Sequence, residues 1–232
     1  SWGKKKWEFE LSGTANLNLS DNATDNQNRI EKISTSQLLT NNLNKVNNQG
    51  HSLVIGNGFE SKLKLDSTGS EWTSQFFYYY SDNISNQTYA TQYYSPVSFV
   101  NSGDGNMDNH RDLFSGRTDL KLKMKSRFTF ESGLKSTVHL FKNNTLFFNE
   151  VNGNRVPDAG RTNRFRYKEN INSAYAQGSK MMGKDIVLKF GTRLENTNMR
   201  GDQEIPSDTS FAIHRTDLFP YVFLSKSLMK IA

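Results

Sequence analysis

Between residues 7 and 20 the chain reads WEFELSGTANLNLS, and apolar and polar side chains alternate without exception. Trp7, Phe9, Leu11, Gly13, Ala15, Leu17 and Leu19 hold the odd positions, and Glu8, Glu10, Ser12, Thr14, Asn16, Asn18 and Ser20 the even ones. A period of two belongs to a β-strand with one apolar and one polar face. The run is more than twice the ~5–6 residues usual for a globular strand, so its environment must accept a long two-faced strand.

The pattern recurs. Over residues 53–65, Leu53, Ile55, Phe59, Leu63 and Leu65 share one face, with Glu60, Lys62 and Lys64 on the other. The Asp, Ser and Gly content of residues 66–70 predicts a tight turn, and residues 71–81 complete a hairpin. Residues 113–124 and 128–140 make a second pair: Leu120, Leu122 and Met124 alternate with Lys121, Lys123 and Lys125, and Phe128, Phe130 and Leu134 with Thr129, Glu131 and Lys135. Residues 164–177 and 185–196 form a third, joined across 178–184, and a last strand covers about 211–228.

Between these pairs lie the polar stretches 21–50, 82–112, 141–163 and 197–210, which read as long loops; VNGNRVPDAG within the third carries loop-forming Gly and Pro. Short and long connections thus alternate. In an up-and-down meander this places tight turns at one rim and long loops at the other, the asymmetry of transmembrane β-barrels. The expected fold is all-β, an antiparallel up-and-down meander of about eight long strands forming part of a transmembrane β-barrel. A soluble antiparallel sandwich also alternates, but long strands with long loops at one end only argue against it.

Composition supports this reading. Only 34% of residues are hydrophobic, yet 12% are aromatic, and mean hydropathy is -0.72. A wide barrel with a wet interior needs half of each strand polar and solvates the apolar half with lipid. With no cysteine, disulfides, thiolate metal sites and cysteine catalysis are excluded. The net charge of +6 comes without any aromatic-basic signature of nucleic-acid binding. Gly56–Gly58 sits inside a strand with no following helix, so it is not a dinucleotide loop.

The segments RFRYKENINSAYAQ, DIVLKFGTRLENTNMRGDQ and DLFPYVFLS resemble the barrel of TonB-dependent receptors of the Bacteroidetes-type outer-membrane β-barrel family. The likeness rests on Phe165, Tyr167, Glu169, Ile171, Ala174 and Tyr175, then Gly191, Arg193, Glu195 and Thr197, then Leu218, Phe219 and Pro220. It implies a non-enzymatic protein of the Gram-negative outer membrane, the barrel portion of a receptor that imports a scarce ligand such as an iron chelate, cobalamin or a glycan. Its partners would be outer-membrane lipid, a plug domain, the TonB energy-transducing complex and the imported ligand; no cofactor and no nucleic acid are expected. The expected domain is a partial barrel over residues 1–232, an internal fragment in which no plug, signal peptide or C-terminal barrel strand is read, since residues 229–232 end without an aromatic. The alternatives are a self-contained small outer-membrane barrel, an adhesin or porin-like protein, and a soluble sugar-binding β protein.

Candidate chemistry is sparse. Asp104, Asn106 and Asp108 reproduce the start of a calcium loop, though Asn109 stands where the turn glycine belongs and Ser115 where the bidentate acid belongs. His51, His110, His139 and His214 show no metal-ligand spacing. Arg164, Arg166, Lys168, Lys189, Arg193 and Glu195 should face the lumen as a solvated, mutually paired wall, while period two puts Glu169 awkwardly with Phe165, Tyr167 and Ile171 on the lipid side. The sheet should be open, with no pairing between its first and last strands, because Lys121, Lys123, Glu131, Lys189, Arg193 and Glu195 need more water than a closed eight-stranded barrel holds.

Overall fold

The computed structural model describes residues 6–183 and 185–226. Nine strands form one antiparallel sheet: β1 (Lys6–Lys32), β2 (Gln37–Lys64), β3 (Glu71–Ser95), β4 (Phe99–Lys123), β5 (Phe128–Val151), β6 (Asn154–Pro157), β7 (Asn163–Met182), β8 (Ile186–Ile205) and β9 (Thr209–Lys226). Eight of them follow one another as a meander, β1-β2-β3-β4-β5-β7-β8-β9, and short β6 folds back on β5. Among the described residues β1 and β9 do not pair, so the sheet is open as expected. Lys184, in the third predicted turn, and residues 227–232, which include the end of the last predicted strand and the terminal residues, lie outside the described residues.

The long polar stretches are not loops. They are the upper halves of very long strands, of which β1 and β2 have 27 and 28 residues, and the connections at this end are as short as those at the other. Side-chain ladders explain the pairing: Gln27 donates to Asn41 at 3.3 Å, Asn28 to Asn42 at 3.2 Å, Gln87 to Asn48 at 2.8 Å and Asn143 to Asn109 at 2.6 Å. With water on both faces nothing selects apolar residues at alternate positions, so the period-two signal fades where the strand continues. The third polar stretch includes a two-residue hairpin, Asn152-Gly153, with φ of 52° and 74°, the doubly positive geometry of a type I′ turn.

At the opposite rim the predicted tight turns do lie side by side. Lys123 N donates to Ser70 Oγ at 2.9 Å, and Arg127 reaches the carbonyl of Gly183 at 3.3 Å. The first turn is built by Asp66, whose Oδ1 accepts from Thr68 N at 2.8 Å, Thr68 Oγ1 at 2.7 Å and Ser70 N at 3.0 Å.

Directly paired residues point to the same face, so the register sorts every side chain. One face carries Trp7, Phe9, Leu11 and Leu17 beside Leu63, Phe59 and Ile55, then Trp72 and Phe76, Leu120 and Phe114, Leu134 and Val138, Ala174 and Ala176, Leu188, Phe190 and Leu194, and Leu218 and Val222. No Lys, Arg, Asp or Glu interrupts this face over residues 7–19, 51–63, 72–80, 114–122, 128–140, 170–178, 186–198 and 214–224. Each stretch has 9 to 13 residues, enough to cover the ~9–11 strand residues that cross a bilayer. The first charges above this band are Asp21, Lys45, Asp82, Asp112, Lys142, Lys168 and Arg200; Lys180 and Lys226 lie below it.

The band has no protein packed on it. Leu11 is 81% exposed and Val222 76%, while Leu63 and Phe147 are the buried hydrophobics among the described residues. The chain exposes 16196 Å², against about 10,700 Å² for a compact protein of this size. The apolar band within that surface suits hydrocarbon rather than water.

Candidate functional site

The face opposite the charge-free band is polar at the same height. Arg117 and Asp119 on β4 pair at 2.5 Å (Nε to Oδ2), and Tyr175 Oη on β7 reaches across β5 to donate to Asp119 Oδ1 at 2.6 Å. That crossing needs Gly133 on the intervening strand. A Cβ there would stand 2.5 Å from Asp119 Oδ1 and 2.6 Å from the Tyr175 ring. Below, Lys121 lies 4.0 Å from Glu131, Gln177 donates to Glu131, and Tyr221 donates to Gln177. Arg117, Asp119, Lys121, Glu131, Tyr175 and Gln177, with Glu71, Thr73 and Gln75, line a polar recess of about 330 Å³. Lys64 with Glu8 and Arg193 with Glu195 extend the paired wall. Such groups can donate and accept hydrogen bonds to water and to anionic or hydroxylated solutes.

Lys189, Arg193 and Glu195 lie on this polar face as expected, but Arg164, Arg166 and Lys168 do not. Their partners Asn144, Lys142 and Leu140 lie on the band face, so all three point outward, just above the band. Conversely Phe165, Tyr167, Glu169 and Ile171 lie on the polar face, where Glu169 pairs with His139 and Met199. The physical reason is that β7 meets lipid with small residues, Ala174, Ala176 and Gly178, and keeps its aromatic residues for the interior. Glu169 therefore faces water.

Asp104, Asn106 and Asp108 sit on extended β4, two residues apart, and are not brought together. Asp104 holds Arg155 of β6 by two prongs, Nε to Oδ1 at 2.9 Å and Nη2 to Oδ2 at 2.6 Å, with the guanidinium 3.4 Å from the centre of the Phe148 ring. This partner holds the Asp104 carboxyl below the ordinary aspartate range. Asn106 donates through its side-chain amide to Asn86 Oδ1 at 2.8 Å. Asp108 instead joins Asp82 around His110, with 2.9 Å from Nε2 to Asp108 and 2.9 Å from Nδ1 to Asp82. This His-carboxylate cluster escaped sequence reasoning: Asp108 and His110 show the two-residue spacing of one strand face, but Asp82 arrives only through the β3–β4 register.

On the polar face of the upper hairpins, Arg161 lies between two rings, 3.8 Å from Phe147 and 4.5 Å from Tyr89, and donates to Gln87 at 3.0 Å. Phe147 lies flat over Gly105, where a Cβ would come within 2.3 Å of it.

A family model described as the outer membrane protein beta-barrel family matches residues 63–232, well over half of the chain. No curated protein and no solved structure matches. The chain belongs to the outer membrane protein beta-barrel family, and its place is the outer membrane of a Gram-negative bacterium.

Proposed function

We propose that this outer-membrane β-barrel protein is the wall of a TonB-dependent receptor, a non-enzymatic protein for energy-coupled uptake of a scarce ligand such as an iron chelate, cobalamin or a glycan. The observation that carries the reading is the polar face at band height. Long charged groups such as Arg117, Lys121, Glu131, Arg193 and Glu195 stand there, and an eight-stranded closed barrel is filled by its own side chains. A wider barrel supplies the water they need. The free edges of β1 and β9 support this, because unpaired backbone groups cost several kcal/mol each in hydrocarbon; further strands would close the wall around a plug.

The chain has no native cysteine, so introduced pairs report cleanly. Single cysteines at Leu11 or Ala15 on β1, combined with Leu218 or Val222 on β9, should not form an intramolecular disulfide in the assembled protein of outer membranes. Efficient cross-linking would replace the receptor by the small self-contained barrel. In cells, disabling the energy-transducing complex should abolish the uptake that depends on this protein; persistence of that uptake would leave a passive pore.

A further inference from the structure

The band side of the β3–β4 pair carries a cluster that plays no part in the paired wall of the opposite face. Asp82 on β3 stands directly opposite His110 on β4, and Asp108 lies two residues from His110 on the same strand. Period two and antiparallel pairing therefore aim all three side chains to one side. Asp82 Oδ1 lies 2.9 Å from Nδ1 of the imidazole, and Asp108 Oδ1 lies 2.9 Å from Nε2. One donor atom from each residue can be chosen so that all three lie within 4.8 Å of one another.

The cluster is short of positive charge. A neutral imidazole has one N–H, so it can donate to one of the two carboxylates while its other nitrogen turns a lone pair toward the second. The close contacts also miss hydrogen-bond geometry: Asp82 Oδ1 and Asp108 Oδ1 are buried atoms with no hydrogen-bond partner. Their side chains are 16% and 31% exposed. Lys142 on β5 is the register partner of His110, yet among the described residues no ion pair joins it to either aspartate. Asp112, two residues below His110, adds a further acid and accepts from Tyr78 at 2.9 Å. Asp82 is the first charge above the band on β3, and uncompensated carboxylates at the edge of hydrocarbon are costly.

We propose that Asp82, Asp108 and His110 bind one divalent transition-metal ion, zinc the best match, which clips β3 to β4 just above the charge-free band. A divalent ion neutralises both carboxylates, whereas a proton on His110 neutralises only one. The imidazole argues against calcium and magnesium, which take oxygen donors. A set of one His and two carboxylates without thiolate suits zinc, whose sites combine His with Asp or Glu. One ring nitrogen binds the ion while the other carries the N–H, which removes the lone-pair conflict. Two donors on a tetrahedral zinc are about 3.4 Å apart at bond lengths of ~2.0–2.2 Å. The 2.9 Å contacts therefore open by about half an ångström, which side-chain rotation supplies without moving the strands. Water takes the fourth position. The site draws only on two paired strands, so it depends neither on barrel closure nor on an imported ligand.

The test uses the full chain without a polyhistidine tag, extracted in mild detergent and freed of metal by a chelator. Calorimetric titration at pH 7.5 should show one zinc ion bound per chain, with magnesium and calcium bound at least about tenfold more weakly. X-ray absorption at the zinc edge should show nitrogen and oxygen donors at ~2.0–2.2 Å with the outer scattering of one imidazole. Asp82→Asn, Asp108→Asn and His110→Gln should each weaken zinc binding at least about tenfold. His51→Gln and His139→Gln, which remove other histidines, should leave it unchanged. A chain that takes up no zinc overturns the proposal and leaves His110 as a protonated counter-ion between two aspartates. Equal affinity for magnesium overturns it as well, as does a zinc shell without imidazole. Zinc binding that survives any of the three ligand substitutions unchanged would do the same. If a variant fails to assemble, seen as loss of heat-modifiable mobility, the metal comparison and the zinc-edge spectrum of the unaltered chain still decide.

Discussion

At the scale of single residues the structure depends on positions where a side chain is forbidden or a carboxylate is tied down. Gly133 lets Tyr175 cross a strand to Asp119, so Gly133→Val should cost about 1–3 kcal/mol by crowding the Tyr175 ring and the Thr118 carbonyl, measured by urea titration of the protein refolded in vesicles; Gly116→Val, on the lipid face with open space around it, should cost less. Asp66 is held well below the ordinary aspartate value, first by the Ser70 and Thr68 side chains and then by their backbone amides. A depressed carboxyl contributes stability above its unfolded pKa and loses it only as pH falls through the folded value. The Thr68 and Ser70 amides should therefore keep their hydrogen-exchange protection at a pH where a free aspartate is protonated, and Asp66→Ala, which removes the acceptor, should expose them at neutral pH. Sequence made the Asp66 turn legible because its chemistry is local. It could not place Glu169 or the Asp82–His110–Asp108 cluster, because both depend on which strand lies alongside. On β7 hydrophobicity itself misleads, since the aromatic residues face water and the alanines face lipid.

At the scale of the strand, one face answers to lipid and the other to water, and neighbouring residues test the division. Leu188 lies on the band face and Lys189 on the polar face. Leu188→Arg, close to the lower edge of the band, should impair membrane assembly by about 1 kcal/mol, below the ~2–4 kcal/mol of a midplane position, whereas Lys189→Ala should assemble nearly as the parent in a vesicle-insertion assay; equal effects would contradict the assignment of faces. The lower half of each strand was legible because hydrocarbon enforces strict alternation. The upper half was not, and the four polar stretches looked like loops. In water a strand can be held by Asn, Gln, Ser and Thr on both faces, a composition shared with irregular segments. The β5–β6 hairpin is such a case: its Asn152-Gly153 turn is a recognised hairpin signal, but no alternation around it announced the strands. Replacing Arg155 by Ala removes its grip on Asp104 and its stacking on Phe148. This should raise amide exchange across β6 while leaving that of the band unchanged.

At the scale of the whole sheet, the band does not follow the hydrogen-bonded rows. The row through Trp7 passes Leu63, Trp72, Leu120, Ser132 and Ala176 to Thr192, yet the lower edge of the band moves from Trp7 on β1 to Ile186 on β8, about six residues below that row. The upper edge moves by nearly the same amount: the row of Leu19 reaches Ile205 on β8, seven residues above Asn198, one of them taken up by the irregularity at Arg164/Phe165. Six residues at ~3.4 Å over six strand-to-strand steps of ~4.8 Å correspond to a tilt of roughly 35° between the strands and the membrane normal. Closed barrels tilt their strands by 35–45°, so the placement of charges along the chain already encodes the slant of a barrel wall although this sheet is open. Edge strands with no partner would have no reason to carry that slant; strands that continue around a cylinder must. Polarised infrared spectra of the protein in oriented membranes should therefore give an amide dichroism equivalent to about 35–45°. Strands standing within about 20° of the normal would show that the band is a packing surface of another kind, and would remove the physical basis for placing this wall in a closed barrel.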